Sequence, residues 1–153
     1  MDTQNSDPSI SALLEMMPMY HKIVLNEIEM KSIHLTKSQF FILLALMSNE
    51  SLNMTQVATY IASSKEQATR AVAPLVEAGY VDRFHDESNR KLVLIRLTPS
   101  GKTFLHETKE HLHQSLEKKF ERLPIQDRQD LVSSLQTILR ILKKCRNKTA
   151  YFY

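Results

Sequence analysis

Ser64, Lys65, Gln67, Thr69 and Arg70 fall within residues 64–70, and Arg90 and Lys91 stand side by side further along the chain. These are the side chains that read or grip nucleic acid. Arginine takes the guanine edge with two hydrogen bonds and glutamine takes adenine, while serine, threonine and lysine suit phosphate or either edge. Other reactive groupings are weaker. His106, Glu107, Glu110, His111 and His113 crowd one stretch, with His106 and Glu110, or Glu107 and His111, four apart as helical metal ligands are. No cysteine or histidine elsewhere obviously completes such a set. Cys145 is the single thiol, between Lys144 and Arg146, with no resolving cysteine for a redox switch. No phosphate-binding glycine loop, nucleophile elbow or carboxylate pair with a spaced histidine is present, so no enzyme, metal or cofactor is expected.

The elements that must position residues 64–70 are mostly helical. A chain of 153 residues with 42% hydrophobic content suffices for a core, and two glycines with no tryptophan disfavour a fold of hairpins. Asp7-Pro8 opens a first helix expected over about 8 to 31, bent at Pro18. Three capping boxes follow: Thr36 with Gln39, Asn53 with Gln56, and Ser64 with Gln67. They open helices ending near Ser48, near Ile61 and at Gly79. Tyr80–Phe84 and Leu92–Leu97 then read as two strands of a hairpin with a charged tip between them. Thr98-Pro99 restarts helix to about Arg122, and Pro124 begins the last one, with Leu131, Leu135, Ile138, Leu139 and Leu142 apolar.

Charge separates along this order. Residues 1–59 carry three Lys/Arg against six Asp/Glu, residues 60–102 seven against five, and residues 103–153 ten against six. The basic two thirds suit a polyanion. The longest apolar run, Phe40–Met47, is far short of the roughly 20 residues of a membrane span, so a cytoplasmic chain without membrane contact is expected.

Two short helices joined by Ala62-Ser63-Ser64 and followed by a hairpin make a winged helix-turn-helix, the second helix (64–78) being shaped for the major groove. The order of motifs resembles the MarR family of transcriptional regulators. The matching residues are Ser64-Lys65 through Arg70, Leu75 through Gly79-Tyr80-Val81, Asp86 and Arg90, and Leu97-Thr98-Pro99-Ser100-Gly101. The resemblance implies a mostly α fold with a small β-hairpin wing, its winged helix-turn-helix flanked by N- and C-terminal dimerisation helices. The expected division is 1–34, 35–100 and 101–153.

It also implies a homodimer on a pseudo-palindromic double-stranded DNA operator, acting as a repressor released by a small aromatic or phenolic effector. The expected DNA contacts are Ser64, Lys65, Gln67, Thr69 and Arg70 in the major groove, Arg90 in the minor groove, and Arg83 and Lys91 on phosphate. Met17, Tyr20 and His21, near Pro18, are the candidate effector pocket. Alternatives are a winged-helix protein-interaction module, with Glu66 and Glu77 on the presented helix, or a metal- or thiol-responsive regulator.

Four positions depart from the family pattern. Ala62 and Ser63 replace glycine and an apolar residue in the turn, so Ala62 is strained if the turn needs positive φ. Asn89 and Lys91 replace aspartate and arginine in the wing, which questions its internal ion pairing. Pro74 stands where a polar or basic residue is usual. Winding the helix from Ser64 places Ala68, Val72, Leu75 and Val76 inward and Pro74 outward, toward solvent or DNA. It is either a tolerated bend or a bend that sets how the first two turns enter the groove.

Overall fold

The computed structural model describes residues 7–25 and 34–147. Its elements are α1 (Pro8–Tyr20), a π segment (His21–Leu25), α2 (Lys37–Met47), β1 (Leu52–Asn53), α3 (Met54–Tyr60), α4 (Lys65–Glu77), β2 (Val81–His85), β3 (Val93–Leu97), α5 (Pro99–Phe120) and α6 (Ile125–Asn147). They form two compact units, Met1–His113 and Gln114–Tyr153. Among the described residues no helix is long and apolar enough to cross a membrane.

Asp7 caps α1, accepting from the Ser9 hydroxyl at 2.7 Å and the Ser9 N–H at 2.9 Å, and these two bonds hold its carboxyl below the usual range. The helix expected over 8–31 is present as far as Leu25, in two forms. Regular α-helix stops at Tyr20 and gives way to the π segment, and residues 26–31 lie outside the described residues. Pro18 contributes no N–H to the ladder, which leaves the Leu14 carbonyl without its helical partner within α1.

All three capping boxes form. Thr36, Asn53 and Ser64 each accept from the backbone of the glutamine three residues on, and each glutamine reaches back to the cap backbone. The buried side of the winged section is filled by Ile42, Leu43, Val57, Val72, Leu75, Val81, Ile95 and Leu105. The expected two-stranded hairpin is a three-stranded antiparallel sheet in the order β1-β3-β2, with Leu52 opposite Ile95 and Val81 opposite Leu97. Two residues are too few for an alternating pattern to announce β1.

Two helices end on the same device. At the exit of α4 the Tyr80 N–H reaches the Leu75 carbonyl at 2.9 Å and the Gly79 N–H reaches Val76 at 3.0 Å, with Gly79 at φ +77°. At the exit of α3 the Ser63 N–H reaches Ala58 at 3.0 Å and the Ala62 N–H reaches Thr59 at 3.2 Å, with Ala62 at φ +48°. The strain expected at Ala62 is therefore present. Left-handed backbone costs an L-residue about 1 kcal/mol, which glycine avoids. Ala62→Gly is expected to raise the thermal unfolding midpoint by about 3 °C for a chain of this size, read by scanning calorimetry; an unchanged or lower midpoint refutes it.

In the C-terminal unit, α6 keeps Leu131 and Ile138 half-buried and leaves Leu135, Leu139 and Leu142 exposed. In the N-terminal unit α1 likewise exposes Ile10, Leu13, Leu14 and Met17.

Candidate nucleic-acid interface

The first two turns of α4 present one face outward. Ala68 and Val72 are fully buried and Leu75 nearly so, which anchors the helix and leaves Ser64, Lys65, Glu66, Gln67, Thr69 and Arg70 exposed. Their hydrogen-bonding capacity differs. The Ser64 hydroxyl accepts from the Gln67 N–H at 3.2 Å, and the Gln67 amide oxygen accepts from the Ser63 hydroxyl and the Ser64 N–H. The Thr69 hydroxyl donates to the Lys65 carbonyl at 2.9 Å. With its oxygen engaged, Gln67 keeps its Nε2 donors, enough for one acceptor on a base but not for the two-bond adenine contact unless the cap opens. Lys65 and Arg70 are the positive charges of this face. Glu66 opposes them: its own backbone N–H, then the Ser64 hydroxyl, hold its carboxyl below the usual range, so it stays ionised beside them.

The wing is organised from its tip. Asp86 accepts from the Ser88 hydroxyl, from the Ser88 N–H at 2.8 Å and from the Asn89 N–H at 2.9 Å. The Ser88 hydroxyl, then these two backbone N–H groups, hold its carboxyl below the usual range. The Asp86 N–H closes on the Leu92 carbonyl at 3.0 Å, and the His85 Nδ1 lies 2.8 Å from the Arg90 carbonyl. Asn89 accepts from the Lys91 N–H at 3.2 Å, so the two unusual wing residues meet through an amide oxygen and a backbone donor. Arg90, Lys91 and Arg83 are all exposed.

Arg96, not singled out from the sequence, adds a cation to the wing and lies over the Phe84 ring at 4.7 Å. Asp82 pairs with Arg96 and Phe84 with Leu94, which makes Arg96 and Phe84 diagonal neighbours. That signal becomes readable only when the register is known.

Met17 and Tyr20 are exposed, and the Lys37 ammonium lies 3.1 Å from the His21 Nε2. A cavity of about 290 Å³ is lined by other residues, among them His34, Gln39, Pro74, Tyr80 and Phe104. Pro74 is outward-facing as expected, but it borders this cavity. The Tyr80 and Phe104 rings stack at 4.2 Å, and the Gln39 amide donates to the Ala71 carbonyl at 3.4 Å. Among the described residues no three His, Cys, Asp or Glu side chains converge as a metal would require. The Cys145 side chain lies outside the described residues.

Residues 35–93, from the approach to α2 into β3, match the MarR family model. The winged section of the chain therefore resembles the MarR family. It is 34% identical over 86 residues to the uncharacterized HTH-type transcriptional regulator YhjH of Bacillus subtilis, a match covering 56% of this chain and 49% of YhjH. The chain thus spans about half of that relative's length. Wild-type apo MarR of E. coli shares the fold at a TM-score of 0.68 and 21% identity, over 86% of this chain and 94% of MarR. So does Bordetella bronchiseptica BpsR, whose DNA binding is regulated by 6-hydroxynicotinic acid, at 0.58 and 23% identity over 85% of this chain and 98% of BpsR.

Proposed function

We propose that this chain is a MarR-family DNA-binding transcriptional regulator rather than an enzyme, and that it works in the cytoplasm. The observation that carries the reading is α4 itself. One face is locked into the core, and the opposite face offers Lys65 and Arg70 on the two turns that would enter a major groove. Ser64, Gln67 and Thr69 complete that surface. Arg90 is the candidate for a narrow minor groove, and Arg83 and Lys91 for phosphate.

A homodimer reading is supported by the exposed apolar stripes of α1 and α6, each of which needs a partner. Two copies would present two recognition helices to half-sites about 34 Å apart on a pseudo-palindromic operator. Repression relieved by a small aromatic acid or phenol is the regulatory reading. BpsR supports the ligand class, with Met17, Tyr20 and His21 as the candidate pocket once a partner subunit covers α1.

The test is fluorescence-anisotropy titration against duplex from the gene's own upstream region and against a scrambled duplex, at two salt concentrations. Tight, selective binding is expected, with log affinity falling about 0.9 per neutralised phosphate per log unit of salt. Arg70→Ala is expected to weaken the selective complex about 10- to 100-fold, the value of one good two-bond base contact. Equal, weak binding to both duplexes, indifferent to Arg70→Ala and Arg90→Ala, refutes the reading and points to a protein partner.

A further inference from the structure

The wing tip distributes its hydrogen bonds unevenly. Asp86 holds the backbone of residues 88 and 89, and Asn89 takes the Lys91 N–H on its side chain and the Leu92 N–H on its carbonyl at 2.8 Å. The peptide of Arg90 is held from a different direction. His85, the last residue of β2 and opposite Val93 in the register, places its Nδ1 at 2.8 Å from the Arg90 carbonyl. A carbonyl oxygen only accepts, so Nδ1 carries the proton and Nε2 is left free on an exposed ring.

We propose that His85 is the positioning residue of the wing: its Nδ1–H fixes the Arg90 peptide and thereby the direction in which the Arg90 guanidinium leaves the tip. The inference rests on the DNA-binding reading of the wing and adds a residue to it. An arginine at the end of a free loop samples many directions, and apparent affinity falls with the fraction of time spent in the competent one. One hydrogen bond removes that freedom without itself touching DNA. The bond belongs to the δ position of the side chain, where asparagine also carries an N–H donor and alanine carries none.

The experiment measures operator affinity by anisotropy for the full-length protein and its His85→Ala, His85→Asn, Arg90→Ala and His85→Ala/Arg90→Ala variants, with thermal unfolding of each. His85→Ala is expected to weaken binding about fivefold at an unchanged unfolding midpoint, and His85→Asn to remain within twofold of the wild type. In the Arg90→Ala background, His85→Ala is expected to change nothing further. Nitrogen-15 correlation spectra of the imidazole are expected to show Nδ1 as the protonated nitrogen in the DNA-free protein.

Wild-type affinity in His85→Ala, alongside weakened binding by Arg90→Ala, overturns the positioning role while leaving the DNA reading intact. A loss that persists in full without Arg90 also overturns it, because His85 would then make its own contact. If Arg90→Ala is without effect on selective binding, the DNA reading of the wing fails, and this inference fails with it.

Discussion

Gly101→Ala is expected to destabilise the protein by about 3 kcal/mol, the upper part of the range for forcing atoms into a packed site. A Cβ at this position would sit 2.0 Å from the Tyr80 carbonyl oxygen and 2.9 Å from its carbon, and both are backbone atoms. Tyr80 is held on several sides. Its N–H is bonded to Leu75, its carbonyl accepts from the Thr98 N–H at 3.1 Å, and its ring is stacked on Phe104. Thr98 tightens the same joint, donating its hydroxyl to the Gly79 carbonyl at 2.6 Å while accepting from the Gly101 N–H at 2.9 Å. Neither side can retreat without breaking a cap. At about 2–4 °C per kcal/mol for a chain of this size, the thermal midpoint should fall by about 10 °C. A fall of less than about 2 °C in calorimetry would show that the joint yields.

Pro74→Ala is expected to act in the opposite direction, raising stability by about 2 kcal/mol. An interior proline costs about 3 kcal/mol through one missing N–H and crowding of the carbonyl four residues earlier. The more flexible unfolded chain of the alanine variant offsets about 0.4–1 of that. Here α4 continues through Pro74 to Glu77, so the helix geometry that alanine prefers is already in place. The carbonyl affected is that of Arg70, next to the Ala71 carbonyl that Gln39 meets from α2. Urea denaturation reads the gain, and a variant no more stable than the parent refutes it. The same variant decides what the proline is for. A shifted operator affinity or preference, in spite of higher stability, assigns Pro74 the angle of the recognition turns, and unchanged binding leaves it a tolerated bend.

Both predictions depend on structure that the sequence disclosed unequally. The three capping boxes and the glycine exit of α4 were legible because each is a local signal, complete within a few residues. The hairpin was legible for the same reason. β1 was not, since two residues have no period and their pairing with β3 is fixed by distant packing. The π segment was hidden because no local residue pattern marks a change from α to π spacing. In the candidate site, Lys65, Arg70 and Arg90 were readable as charges on presented elements. The partial commitment of Gln67 and Thr69 to their own helix, the position of Arg96 over Phe84, and the reach of His85 to Arg90 are properties of rotamer and register. No spacing rule encodes them.

The three capping boxes share a choice that reaches beyond helix starts. In each one the residue reaching back is glutamine: Gln39, Gln56 and Gln67. A glutamate there would close the same hydrogen bonds, but it would titrate, and it would add a negative charge at the positive end of each helix dipole. The amide does neither. Ionic strength therefore screens the exposed cations of α4 and the wing without loosening the three capping boxes, and the group at the α4 entry that acid reaches is Glu66, held by its own backbone N–H and the Ser64 hydroxyl.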